Sequence, residues 1–287
     1  MKVEATRRKT EPSIAIPASL VSDIPHLREK TATVGLVGRA AAIFRADSIV
    51  VYKDADAEEG EASFIKLILN YMDTPQYLRK RLFPLKPELR YTGVLHPLRT
   101  PHHPLRNKVE DLRIGEFREG VVLAVEEDKA KVDIGVTEPL LAEGRSPSPG
   151  SRVTVKVLEI KPQLRGSLAR QAEIEEYWGY KVQTFPSLGE TISRRRFDLS
   201  IATSRWGRPF LEVIDPIRER WRSTRRALIA FGSPKRGLAE ILHHEGLDLE
   251  KCFDFVVNTI PHQGCETVRT EEAIYCTLAA FNLLMEG

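Results

Sequence analysis

The stretch TIPHQGCETVRTEEAIYCTLAAF (residues 259–281) decides how this chain is read. A strand-like run, FDFVVN, comes just before it, and its second half opens an apolar helix that continues through NLLM. Between strand and helix lies a polar loop holding a Pro, a Gly and a Thr/Arg cluster, where a single capping residue would suffice to start a helix. In open α/β sheets ligands bind beyond the carboxyl ends of strands, so a long loop at such a junction implies that it holds something.

Working outward, the chain alternates strands and helices. SIAIPASL and SIVVYKD are short apolar, β-branched runs suited to buried parallel strands. TVGLVGRAAAIFRA places Val34, Val37, Ala41 and Phe44 on one helical face, and EASFIKLILNYMDTPQYLRKRLF sets Phe64, Leu67, Ile68, Tyr71 and Met72 on another, with a break at Pro75. FDLSIATS, RALIAFG and FDFVVN read as strands, and GLAEILHHEG and EEAIYCTLAAFNLLM as helices. Between these halves the pattern is all β: a hairpin in GVVLAVEEDKAKVDIG, a short strand in EPLLAE, alternating Val153, Val155 and Val157, and a last strand in RGSLAR. Short strands with Gly and Pro turns predict a small barrel of the OB type. The expected architecture is an α/β domain with a mostly parallel sheet, residues 1–90 and 166–287, interrupted by an inserted barrel, residues 91–165.

Composition narrows the function. The 287 residues are 42% hydrophobic and 29% charged, as in soluble globular proteins. No apolar run reaches the ~18 residues of a membrane span, and MKVEATRRKTEPS has no apolar stretch that would make it a secretory signal; it reads as a short frayed tail. Cys252, Cys265 and Cys276 form no CxxC pair, which argues against a disulfide framework or a zinc site and fits a reducing cytoplasm. His96, His102 and His103 lie in YTGVLHPLRTPHHP without a thiolate or carboxylate at ligand spacing, so an ordered loop is the better reading than a metal site. The net charge of +3 is weak, but residues 190–240 carry twelve Lys/Arg against six Asp/Glu. SRRRF (193–197) and RERWRSTRR (218–226) supply much of that excess; such runs are either a solvated helix face or a phosphate-binding surface.

Three segments carry the chemistry. FGSPKRGL follows an apolar strand, so Gly232, Ser233 and Gly237 sit at a strand end where backbone can approach a ligand. Despite Lys235 it is not a P-loop, because the GxxxxGK[ST] order is absent, and TVGLVGRAA lacks GxGxxG. TVGLVGRAAAIFRADSIVVY, LIAFGSPKRGL and IPHQGCETVRTEEA together resemble, in order and spacing, the three motifs of the SPOUT class of RNA methyltransferases. The matching residues are Gly35 and Arg39 in the first, Gly232, Ser233, Gly237 and Leu238 in the second, and Ile260, Pro261, Gly264 and Thr267 in the third. TPQYLRKRLFP, LHPLRTPHH and TVRTEEA resemble an archaeal and eukaryotic branch with an OB-like insert, over nearly the whole chain.

The resemblance implies a trefoil-knotted C-terminal segment, an exception to the rule against knots, holding S-adenosylmethionine. It implies cofactor contacts from Thr203, Gly232, Ser233, Ile260, Gln263, Gly264, Thr267, Val268 and Arg269, with Ile260 and Val268 as apolar walls for adenine. It also implies a homodimer, a ribosomal RNA substrate and Arg39 as the catalytic cation, with no metal. Thr33, Pro234 and Arg269 depart from residues frequent in ribose methyltransferases, which favours methylation of uridine at ring nitrogen 3 over the ribose 2′-hydroxyl. A ring N–H needs its proton removed or a cation that favours the anion, and a permanently charged Arg suits the second role. Arg205 and Arg269 are weaker candidates, and Glu271 and Glu272 fit a helix N-terminus on structural grounds alone. The rivals are a non-catalytic RNA-binding or ribosome-assembly protein and a nucleotide hydrolase; the second is disfavoured by the missing P-loop.

Overall fold

A computed structural model of the protein describes residues 5–144, 147–194 and 197–285. In chain order the elements are β1 (Glu11–Pro17), α1 (Leu27–Ile43), β2 (Ser48–Tyr52), α2 (Glu61–Asp73) and α3 (Arg79–Leu82). Then come β3 (Phe117–Glu126), β4 (Lys129–Asp133), β5 (Leu140–Glu143), β6 (Arg152–Glu159) and β7 (Arg165–Leu168). The remainder is β8 (Lys181–Phe185), α4 (Leu188–Arg194), β9 (Leu199–Pro209), α5 (Phe210–Ser223), β10 (Arg226–Ala230), α6 (Leu238–His244), α7 (Leu249–Cys252), β11 (Phe255–Asn258) and α8 (Thr270–Met285).

Six strands form one sheet in the order β11-β9-β10-β1-β2-β8, and every pairing in it is parallel. Parallel sheets are covered on both faces, which is why β2 is buried at all five positions and β1 at six of seven. Helix α1 turns Val34, Val37 and Ala41 inward, as their spacing predicts, and Ala40 with them; Phe44 lies just past its end, edge-on to Tyr275 at 6.4 Å. Gly35 permits a close approach there, since a Cβ would stand 2.8 Å from the Leu95 side chain. Helix α8 buries Ile274, Leu278 and Phe281, and the Phe281 ring packs on Phe210 and Trp221 of α5. That apolar face is core.

The other five strands close a barrel, β3-β4-β5-β7-β6, antiparallel except for β5 with β7. Counted within the barrel the order is 1-2-3-5-4, a five-stranded barrel of the OB type. Val122, Val132, Leu140, Val155 and Val157 fill its interior, and Val153 is half-buried against them.

Two compact units result. One comprises Arg8–Asn70, Glu88–His96 and the chain from Tyr180 onward; the other holds the barrel, with Tyr71–Pro87 and Pro97–Gly179. The barrel unit reaches beyond residues 91–165 because side chains near the end of α2 bond into it. Arg152 pairs with Asp73 at 3.0 Å and with Glu119 at 2.7 Å, and the Tyr77 hydroxyl donates to the Glu119 carbonyl. His102 and His103 each bond the Asp73 carbonyl at 2.9 Å, so the proline- and histidine-rich segment is an ordered loop.

Three expectations need correction. In α2, Ile68 and Met72 are buried as expected, but they are joined by Ile65 and Leu69, while Phe64, Leu67 and Tyr71 are only half-buried. Strand β9 continues to Pro209 rather than stopping near Ser204. β8, α4, α5 and α7 were not foreseen. Of the basic runs, Arg195 and Arg196 lie outside the described residues. In the second run, Arg218 pairs with Asp215 at 2.7 Å and Arg220 with Asp254 at 3.0 Å, while Arg222, Arg225 and Arg226 are exposed.

Candidate active site

A cavity of about 400 Å³ opens at the carboxyl ends of β9, β10 and β11, within the size range of small-molecule sites. Its walls come from three segments, residues 203–206, 231–240 and 257–268, with Thr270, Ala273 and Thr277 of α8 behind them. Each wall has a local reason for its shape.

The first wall is an excursion of β9. Ala202 pairs with Val256 and Arg208 with Val257, so consecutive residues of β11 face residues six apart on β9. The five residues 203–207 are thus thrown out of the ladder, an enlarged bulge of the kind that gathers beside active sites. Gly207 makes the return possible, because a Cβ there would stand 2.7 Å from the Val257 backbone. Thr203 Oγ1 donates to the Ala230 carbonyl at 2.8 Å, and the Arg205 carbonyl accepts from Asn258 Nδ2 at 2.9 Å.

The second wall follows β10. The Tyr52 hydroxyl, fully buried, donates to the Phe231 carbonyl at 2.6 Å, and burial raises its pKa so that the phenol stays a donor. At Gly232 a Cβ would meet Arg236 O at 2.9 Å, Gly237 Cα at 3.2 Å and Leu238 N at 3.3 Å, all backbone. The loop closes on itself through Ser233, whose N–H donates to the Arg236 carbonyl and whose Oγ accepts from Arg236 N, both at 2.9 Å. Lys235 is paired with Asp23 at 2.7 Å.

The third wall is the polar loop between β11 and α8. Ile260 N–H donates to Asn258 Oδ1 at 2.9 Å, and Gln263 Nε2 reaches the Cys265 and Glu266 carbonyls at 2.8 and 3.1 Å. Thr270 Oγ1 donates across to the Gly232 carbonyl at 3.0 Å, tying the start of α8 to the second wall. Glu272 accepts from Arg269 N–H at 3.0 Å, half of a capping box, and Glu271 is buried, which raises its carboxyl pKa.

Of the residues expected from sequence, Thr203, Gly232, Ser233, Ile260, Gln263, Thr267 and Val268 line this one cavity. Gly264, Arg269 and Arg39 are not among its lining residues. Arg39 is half-buried on α1, where its charge lowers the pKa of the Tyr275 phenol against the larger effect of burial. Sequence reasoning missed Trp206, Asn258 and Thr270 as wall residues. The signal for Trp206 was present: a Trp before a Gly at a strand end, in TSRWG.

The lining is compatible with S-adenosylmethionine: the cradle at Gly232 is one that a side chain would fill, Thr203, Gln263 and Thr267 are polar, and Ile260 and Val268 are apolar.

Residues 11–281 match the family described as "Putative RNA methyltransferase". The chain belongs to this RNA methyltransferase family. A protein of Halobacterium salinarum, with no activity in its name, is 36% identical over 94% of this chain and 98% of its own length. The Drosophila melanogaster 28S rRNA (uridine-N(3))-methyltransferase is 32% identical over 93% of this chain and 61% of its own, and the human protein of that name is 32% identical over 93% and 77%. A solved structure, the SpoU methyltransferase AviRb of Streptomyces viridochromogenes, gives a TM-score of 0.39 at 10% identity over 98% of this chain and 61% of its own, a likeness too distant to bear on the site.

Proposed function

We propose that this protein transfers a methyl group from S-adenosylmethionine to ring nitrogen 3 of a uridine in ribosomal RNA. The observation that carries the reading is the cavity at three strand ends, walled by two segments bearing methyltransferase motifs, in a member of an RNA methyltransferase family. The fly and human relatives named for uridine-N3 methylation support the choice of atom, as do the departures at Thr33, Pro234 and Arg269.

When bound, the donor supplies an electrophilic methyl on a sulfonium. Gly232, Ser233, Ile260 and Val268 hold and orient it, and the ordered loops keep that geometry rigid. Positioning of this kind can contribute on the order of 7–11 kcal/mol. The nucleophile is the uridine N3 anion, formed by loss of the N3–H proton to solvent and stabilised by a fixed cation; its lone pair would take the methyl group as the carbon–sulfur bond of the donor breaks, leaving a neutral thioether. Arg39 is our candidate for that cation. It stands on α1, beside Leu36 and Ile43, which are 41% and 49% exposed, and α8 presents Leu283 at 80%. These apolar side chains support a homodimer in which α1 of one protomer completes the partner's site. The order of the motifs, together with the Thr270 bond back to Gly232, supports a trefoil-knotted C-terminal segment. Three free thiols support work in the cytoplasm.

The test is calorimetric titration with S-adenosylmethionine, followed by nucleoside mass spectrometry of ribosomal RNA incubated with protein and donor. 3-Methyluridine is expected. A 2′-O-methyl product would overturn the target atom, and no donor binding by the folded protein would overturn the enzyme reading. The second outcome would favour an RNA-binding assembly protein.

A further inference from the structure

We infer that Trp206 is a stacking platform for an unpaired base of the RNA substrate, fixed at the rim of the donor cavity. Its side chain is 83% exposed, whereas Trp178 is half-buried and Trp221 buried. An exposed indole leaves a large apolar face in water, one that aromatic side chains ordinarily bury. A ring left so open on a flexible tip would carry no argument. The backbone carrying this one is fixed at three points, and the ring itself is braced at one.

Trp206 N–H donates to Ser204 Oγ at 3.2 Å. The Arg205 guanidinium lies 4.7 Å from the ring centroid, and its Nη1 is anchored on the Glu266 carbonyl at 2.9 Å. The Arg205 carbonyl is tied to Asn258, and Gly207 is pressed against β11. The β9 excursion therefore presents a pre-ordered ring, braced by a cation on one side and open elsewhere. Ordering costs that usually oppose binding are already met.

A nucleobase fits this surface better than a protein partner does. The ring lines the same cavity as the donor residues. It is flanked by two exposed arginines, Arg205 and Arg208, which suit the phosphates on either side of a stacked base. Only an unpaired nucleotide can offer its face, so the platform selects a loop or a base turned out of its helix. Stacking is tolerant of base identity; Trp206 therefore fixes where the strand lies, and the cavity selects the target.

This inference rests on the proposed RNA methyltransferase function, and the experiment separates the two. Full-length wild type, Trp206→Ala, Trp206→Phe and Trp206→Leu are titrated with a fluorescein-labelled short oligouridylate and with a fully paired RNA hairpin. Trp206→Ala should weaken oligouridylate binding by roughly 5- to 150-fold, Trp206→Phe should recover most of it, and Trp206→Leu should not. Hairpin binding should be the same in all four. Intrinsic fluorescence of wild type should be quenched by oligouridylate, with that quench absent in Trp206→Phe. Equal oligouridylate affinity in wild type and Trp206→Ala, rescue by Leu as complete as by Phe, or no binding by wild type would each overturn the inference. So would a change in mass by light scattering in Trp206→Ala, which would make the ring a subunit contact. Donor titration of wild type judges the enzyme reading separately: if it fails while the Ala, Phe and Leu series behaves as expected, base stacking stands and methyl transfer falls.

Discussion

Replacing Gly232 by Ala measures how closely the second wall is fitted. The added Cβ would lie 2.9 Å from the Arg236 carbonyl oxygen and 3.2 Å from Gly237 Cα. Both are main-chain atoms in a loop already closed by the Ser233 bonds, so relief requires moving backbone by several tenths of an ångström. Overpacking of that size costs about 1–3 kcal/mol. Ala also restricts the unfolded chain, which stabilises by about 0.4–1 kcal/mol. Gly264→Ala is the matched control, because a Cβ there meets nothing within 4 Å and neither glycine has a positive φ. The unfolded-state effect cancels between the two variants, leaving a difference of about 1–3 kcal/mol, or roughly 2–12 °C in Tm. If strain opens the loop, Thr270 loses its acceptor geometry at Gly232, and donor affinity falls by up to about 100-fold relative to Gly264→Ala. Thermal denaturation and calorimetry on both variants provide the numbers. Equal Tm and equal donor affinity would refute the claim that the Gly232 cradle is sterically required.

Arg39→Ala should abolish methyl transfer while changing donor affinity little, because Arg39 is outside the cavity; turnover near wild type would remove it from the mechanism. Arg152→Met strips the guanidinium from Asp73 and Glu119, which are both buried, and should destabilise the barrel unit by about 3 kcal/mol, at the low end for a buried pair since Arg152 is 29% exposed. Urea denaturation followed by Trp178, which donates to Glu119, checks this, and a loss under about 1 kcal/mol would contradict it. His103 is held neutral, its pKa lowered to about 3 by burial first and then by His102. The unfolded imidazole takes a proton below about 6.5, so stability present above that pH is lost on acidification at up to about 1.4 kcal/mol per pH unit. His103→Gln should flatten urea-derived stability between about pH 6 and 4.5; an unchanged slope would show that other groups set the acid limit.

The strongest parts of the fold were those with one dominant period. The β1 and β2 runs and the α1 face were legible because both faces of a parallel sheet demand apolar residues. Helix α5 was not, although Phe210, Val213, Ile217 and Trp221 form its buried line. Pro209 and Pro216 interrupt that pattern, and tertiary packing on α8 outweighs the proline cost. Strand β8 is only five residues long, with one buried position, Val182, so its alternation was too weak to register. At the site, motif spacing located residues near strand ends. It could not show that five residues leave β9 together, because that depends on which β11 residues they face.

The position of β1 has a consequence for how the protein is made. β1 lies between β2 and β10, and its Ala15 pairs with Ala230. During synthesis one edge of this apolar strand has no partner until β10 leaves the ribosome. At typical elongation rates that interval lasts roughly ten to forty seconds. All five barrel strands emerge in the meantime, while the central strand waits as an open template for intermolecular pairing. Overproduction should therefore lose protein through aggregation of nascent chains, and fewer chains in synthesis at one time, or added chaperone, should raise the soluble yield more than a stabilising substitution in the finished fold.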